Sequence, residues 1–203
     1  MVRRPERRDM FINEKILRRL MAKAYKGAGV YMGHFDGKYH IRGAGGSWEA
    51  LILDTVIPKP ILSQMVECSG TIPEEGESWT ADTEKDQMAF YDQWPDLIAK
   101  TEIQKTPVAI QSEAGATLRV MQLPNEKVML FREELVAAID PTSVNTGQGE
   151  EMYQGPFYDG AHGIFAKTNH AVWHILESEP KKLEKIKAIL ESGYLAYDMD
   201  EDR

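Results

Sequence analysis

The chain has 203 residues but one cysteine, and none of its apolar runs is long. A lone Cys68 excludes an intramolecular disulfide and fits a reducing cytoplasm, which is the compartment we expect. It follows the stretch Ile61–Val66, so the thiol is expected to be buried and inert rather than nucleophilic. No run approaches the ~20 apolar residues that span a bilayer. The N-terminal residues also lack the apolar stretch of a signal peptide, and no membrane partner is expected. The familiar catalytic signatures are missing too: there is no G-x-S-x-G, no C-x-x-C and no H-E-x-x-H. Gly43, Gly45 and Gly46 in "GAGGS" fall in a turn between strands, with no helix behind them to cradle a phosphate. In "PDLIAKTEIQK", Glu102 and Lys105 are separated by two residues where a restriction-type nuclease core needs one. No catalytic residue and no cofactor can be assigned, and the reading leans away from an enzyme.

Charge is present in quantity and is unevenly placed. The formal net charge is −8, yet residues 1–27 hold Arg3, Arg4, Arg7, Arg8, Lys15, Arg18, Arg19, Lys23 and Lys26 against Glu6, Asp9 and Glu14. That segment is strongly basic on an acidic body, a split that fits a local anionic partner, although a solvated helix face would carry the same residues. The candidate DNA-binding residues are Lys15, Arg18, Arg19, Lys23 and Lys26.

Periodicity gives an α+β chain. "MFINEKILRRLMAKAY" begins as a short strand and becomes a helix with Ile16, Leu17, Leu20, Met21 and Ala24 on one stripe. Asn13 is its expected N-cap, and Gly27 and Gly29 end it. Strands follow around Asp36-Gly37, the strongest short hairpin signal, and around "GAGG". "IPKPILSQMVECSG" reads as a helix opened by prolines and closed by Gly70. Residues 71–87 read as an acidic surface loop, and Pro95 breaks a helical pattern after it. "PVAIQSE", "ATLRVMQL" and "KVMLF" read as three strands, "REELVAAID" as a short helix and "PTSVNTGQGEE" as a loop. "EPKKLEKIKAILESG" carries the clearest helix signals, with Leu183, Ile186 and Leu190 on one face.

The two ends of the chain resemble each other. At an offset of 123 residues, "FDGKYHIRGAGGSWEALILD" lies over "YDGAHGIFAKTNHAVWHILE" without a gap. Asp36-Gly37 meets Asp159-Gly160, and the alternating Trp48, Ala50 and Ile52 meet Ala171, Trp173 and Ile175. Upstream, "MFINEKIL" lies over "VMLFREEL". We therefore expect an internal duplication of β-α-β-β-β-α halves around antiparallel sheet. The expected divisions are a disordered basic extension at 1–9, a first half at 10–70 and an insertion at 71–126 holding the acidic loop, broken helix and β-meander. A second half at 127–195 and an acidic tail at 196–203 complete the chain.

That pattern bears on the histidines of "FYDGAHGIFAKTNHAVWHIL". On a strand at ~3.3 Å per residue, His170 and His174 sit about 13 Å apart and cannot ligate one ion together. A structural role for these histidines is expected, and a metal site built from His162, His170 and Asp159 is the alternative.

The duplicated unit resembles the sliding DNA clamps, the processivity factors that build each domain from two such halves with helices lining a DNA channel. "GAHGIFAKTNHAVWHIL" looks like their recurrent strand pair, and "FINEKILRRLMAKAY" is similar to their opening strand and basic inner helix. The N-terminal pattern "FIN…L…Y…G…DG.Y.I.G..W" also resembles short proteins of phages and mobile elements. The resemblance implies a non-enzymatic accessory protein in DNA transactions, with duplex DNA as the partner and a ring made by homo-oligomerisation. The acidic "REELVAAID" and the insertion depart from the clamp pattern. The alternatives are a protein- or small-molecule-binding module, with an acidic surface able to inhibit a host system, and a metal-dependent hydrolase.

Overall fold

In a computed structural model, the described residues are 10–43, 46–81, 101–112, 114–144, 153–178 and 184–194. The fold is α+β. Helix α1 (Glu14–Lys26) starts where Asn13 Oδ1 accepts the Ile16 N–H at 3.2 Å, and it stops at Gly27, whose N–H bonds the Ala24 carbonyl. Leu17, Leu20 and Met21 are buried, and Ile16 and Ala24 are half-buried. The strand expected just before it is a single bridge, Ile12 with Ile139. Its neighbours Asn13 N–H and Phe11 C=O bond Ala138 and Asp140, which leaves no partner row long enough to extend a ladder.

Strands β1 (Val30–Phe35) and β2 (Lys38–Gly43) are joined by the two-residue turn Asp36-Gly37, both residues left-handed at φ 51° and 67°. After β3 (Trp48–Leu53) comes α2 (Lys59–Ser69), closed by Gly70 at φ 81°. One expectation fails here. Within the stretch read as acidic loop, Ser78–Thr80 forms β4 and pairs with β1, Trp79 opposite Met32. The half-buried Trp79 between exposed Ser78 and Thr80 is a strand alternation too short to stand out among acidic flanks. Residues 71–77 are turn and loop, as expected, whereas residues 82–87 and the segment broken by Pro95 lie outside the described residues, as do residues 1–9 and 195–203.

β5 (Thr101–Glu102), β6 (Gln104–Gln111), β7 (Thr117–Gln122) and β8 (Val128–Arg132) lead into the single turn of α3 (Glu133–Val136). β9 (Gln154–Tyr158), β10 (Gly163–Lys167) and β11 (Ala171–Leu176) follow, then α4 (Glu184–Ile189), which runs on as a π-helical turn Leu190–Tyr194. Residues 163–167 and 171–176 are therefore strands joined by a turn rather than a helix, and β11 alternates between buried and half-buried positions.

Eight strands form one sheet in the order β4-β1-β2-β3-β11-β10-β9-β5, and β6-β7-β8 form a second. All the recorded pairings are antiparallel. At the centre β3 pairs with β11, Ala50 opposite Trp173 and Trp48 opposite Ile175. Trp48 and Trp173 stack on the same face, ring centroids 5.6 Å apart. The Trp173 indole N–H donates to the Leu135 carbonyl at 3.1 Å. This face, with Ile41, Ile52, Ile164 and Ile175, packs with α1 and with Ile61, Met65 and Cys68 of α2 in one core. Cys68 is buried, and burial pushes its thiol up, as expected of an inert cysteine. A smaller core lies on the three-stranded sheet, where Leu190 and Ile186 pack on Leu118, Val120, Val128 and Leu130. The open edge of β8 is closed by side chains. Glu191 accepts from Val128 N–H and Glu177 from Leu130 N–H, which leaves fewer free donors for strand addition.

Candidate nucleic-acid interface

Burial of the apolar stripe fixes which way the cations of α1 point. Lys15, Arg19, Lys23 and Lys26 are exposed, at i, i+4, i+8 and i+11, so they form one row along the helix. Four residues of helix rise about 6 Å, so the row spaces its charges regularly over roughly 16 Å. Arg18 is different. It is half-buried, and its Nε is a buried donor with no hydrogen-bond partner among the described residues. Of the five sequence-predicted residues, then, four share the solvent arc and Arg18 lies at its margin.

The row is not free of counter-charge. Lys23 Nζ meets both carboxylate oxygens of Glu134, at 2.9 and 3.1 Å, and Arg132 Nη2 reaches Glu134 Oε1 at 2.8 Å. Beside it, Glu133 takes Arg119 through two short bonds of 2.6 and 2.9 Å. The guanidinium holds the Glu133 carboxyl below the usual range, with burial opposing and Lys105 assisting. Arg119 Nη1 also donates to the Thr106 and Pro107 carbonyls, stitching the irregularity in β6. The acidic helix α3 thus carries its carboxylates into a cationic setting.

The opposite face of the large sheet holds the histidine cluster. Cross-strand register aligns Tyr31, Arg42, Glu49, His174, Phe165 and Phe157 in one row running from β1 to β9. His174 Nε2 lies 3.0 Å from Asp159 Oδ2, and Nδ1 lies 4.0 Å from Glu49 Oε1. Asp159 also accepts the Ala161 N–H at 2.8 Å. Burial alone would raise the Asp159 carboxyl. The hydrogen bond from His174, the Ala161 and Gly163 N–H groups and the His174 charge outweigh burial and bring it to about 2. Gly163 makes room for the pair, since a Cβ there would stand 2.6 Å from Asp159 Oδ2 and 2.7 Å from His174 Nε2.

The metal alternative set Asp159 together with His162 and His170. Asp159 Oδ2 pairs with His174, which lies outside that set; His162 is exposed in the turn, and His170 precedes β11. The two carboxylates engage opposite ring nitrogens, so they share no point where an ion could sit. Among the described residues, no group of three or more His, Cys, Asp or Glu side chains is disposed to hold a metal ion. Sequence reasoning missed the Asp159–His174 pair because fifteen residues and a hairpin separate the partners. It also missed His34, which stacks on Tyr39 with centroids 4.2 Å apart and sits 3.2 Å from Glu75 Oε2 and 3.7 Å from Asp54 Oδ2. His40 on β2 is held neutral, at about 4, chiefly by burial and then by Lys38, with Asp36 opposing.

No helix among the described residues is long and apolar enough to cross a membrane. Comparison with known proteins returns no match of this chain to a protein-family model, to a curated protein or to a solved structure.

Proposed function

We propose that this chain is a non-enzymatic accessory protein in DNA transactions, clamp-like in architecture, which holds duplex DNA through the phosphate backbone. The observation that carries the reading is the row Lys15, Arg19, Lys23 and Lys26, exposed on α1 by burial of Leu17, Leu20 and Met21 on its other side. A regular row of cations on a rigid helix suits a backbone of regularly spaced phosphates and reads no bases, so binding is indifferent to sequence.

The clamp-like part of the reading rests on a duplication of the two halves. Its support is the register at the centre of the large sheet. The sequence overlay makes Ala50 the counterpart of Trp173, and the strands place these two residues directly opposite each other. Likewise the counterparts of Trp48 and Ile52 are Ala171 and Ile175, and the seam pairs Trp48 with Ile175 and Ile52 with Ala171. A two-fold axis through the Ala50–Trp173 pair relates the two strands, and the order β1-β2-β3-β11-β10-β9 extends that relation outward on both sides.

The experiment is a duplex-binding titration at about 50 mM salt, where phosphate contacts count most. Changing Lys15 and Arg19 together to Glu abolishes binding on this account while the far-UV circular dichroism is unchanged. Lys15 and Arg19 are the informative positions because both are exposed, whereas Arg18 is half-buried. Failure of the wild-type chain to bind would favour a protein-binding module instead.

A further inference from the structure

We infer that the DNA-contacting surface continues beyond α1 onto Arg132 and Lys105, and that Glu134 occupies its cations in the free protein as a carboxylate stand-in for a backbone phosphate. The inference rests on the reading of α1 as a duplex contact and extends it to three further residues. Lys23 comes from α1, Arg132 from β8 and Glu134 from α3, yet both cations share Glu134 Oε1, at 2.9 and 2.8 Å. One anion thus holds two like charges together that would otherwise repel across the gap between helix and small sheet.

Next to it, the balance differs for Glu133 and its partners. Arg119 is 16% exposed, gives Glu133 two short bonds and spends its remaining contacts on Thr106 and Pro107 carbonyls. It is fixed in the fold and has little left for a phosphate. Lys105 is 50% exposed and stands 3.8 Å from Glu133 Oε1, at the limit of an ion pair. Glu133 therefore belongs to Arg119, and Lys105 remains available.

The members of the patch that reach solvent are then the exposed Lys23 and Lys105 and the half-buried Arg132 against Glu134, an excess of positive charge continuous through Lys23 with Lys15 and Arg19. Ion pairs on such exposed surfaces are weak and screened by salt, so a phosphate dianion or diester can take the place of the Glu134 carboxylate at little cost. The occupant that fits is the backbone of duplex DNA, because Lys23 belongs at once to this patch and to the α1 row read as the duplex contact.

The test is an anisotropy titration of the full chain with a fluorescent duplex of mixed sequence, repeated at several salt concentrations. Glu134→Gln keeps the size of the side chain and removes the competing charge. It should tighten binding roughly two- to fivefold at low salt, the equilibrium equivalent of one surface ion pair. Arg132→Gln and Lys105→Gln should each weaken binding and reduce the log–log salt slope by about 0.9. Arg19→Gln is the control that reports on α1 alone, and thermal melts establish that each variant is folded. If Arg19→Gln weakens binding while Arg132→Gln, Lys105→Gln and Glu134→Gln all behave as wild type, the surface stops at α1 and the inference is overturned. If the wild-type chain does not bind at all, the reading of α1 itself falls, and the inference with it.

Discussion

The strands β1–β3 and β9–β11 are two antiparallel meanders that meet at one seam, and they differ most in what precedes them. The first follows the thirteen-residue α1, capped by Asn13 and rich in exposed cations. The second follows α3, a single turn opened by Glu133 and Glu134 with no side-chain cap. Each meander puts a tryptophan into the same core, but their polar inlays are opposite in kind. β2 carries His40, kept neutral by burial, whereas the second meander carries Asp159, kept charged by His174 and two N–H groups. The two meanders share one apolar face and differ in charge, so electrostatic chemistry, unlike the core, is particular to each meander.

The seam is where the two meanders meet, and breaking it has the largest expected effect. Trp173→Ala removes a fully buried indole, its stacking on Trp48 and its bond to Leu135, and should cost about 3–5 kcal/mol in denaturant unfolding. Trp48→Ala, which removes the stacking but not the Trp173–Leu135 bond, should cost less. Equal losses would mean that the Trp173–Leu135 bond adds nothing.

A smaller effect is expected at Gly163. Adding a methyl group there drives it against Asp159 Oδ2, His174 Nε2 and the Ile175 carbonyl. Gly163→Ala should destabilise by about 1–3 kcal/mol, the scale of overpacking. Gly160→Ala meets open space and bears only the strain of φ 85°.

Acid separates the two meanders in order. Asp159 has a folded value of about 2, below its ordinary 3.8, so its contribution is present above about pH 4 and is lost as pH falls through 2. That contribution is about 2 kcal/mol, and Asp159→Asn should remove it at neutral pH with no penalty below pH 2. His40 behaves in the opposite sense. Its folded value of about 4 lies below the ordinary 6.5, so the unfolded chain takes up the proton first and stability falls as pH drops from 6.5 to 4. The loss is about 1–2 kcal/mol after allowing for partial exposure, and His40→Gln should abolish it. Hydrogen exchange at pH 5 should therefore loosen β2 before β10, and simultaneous loosening would contradict this division.

Much of the frame could be read from local signals. Asn13, Gly27 and Gly70 bound their helices, Asp36-Gly37 turns its hairpin, and the alternation of Trp48, Ala50 and Ile52 puts them on the buried face. These features depend on neighbours a few residues away. Three others depend on distant partners: β4 along β1, β5 along β9, and Glu177 and Glu191 on the edge of β8. The Asp159–His174 pair and the Lys23–Glu134–Arg132 chain belong to the same class, since charge carries no periodicity that announces its partner. The basic row on α1 could be read, but the counter-charge set against it by α3 could not.

The smallest perturbation is a change of salt, and it bears most directly on the central claim that α1 and its neighbours meet the phosphates of duplex DNA. Binding of the wild-type chain to mixed-sequence duplex should be measured by anisotropy from about 50 to 200 mM salt. Six phosphates neutralised by Lys15, Arg19, Lys23, Lys26, Arg132 and Lys105 give a log–log slope of about −5.4, and roughly a thousandfold loss of affinity across that range. The same slope should appear on unrelated sequences. No binding at 50 mM salt, or an affinity that does not change with salt, would contradict the account.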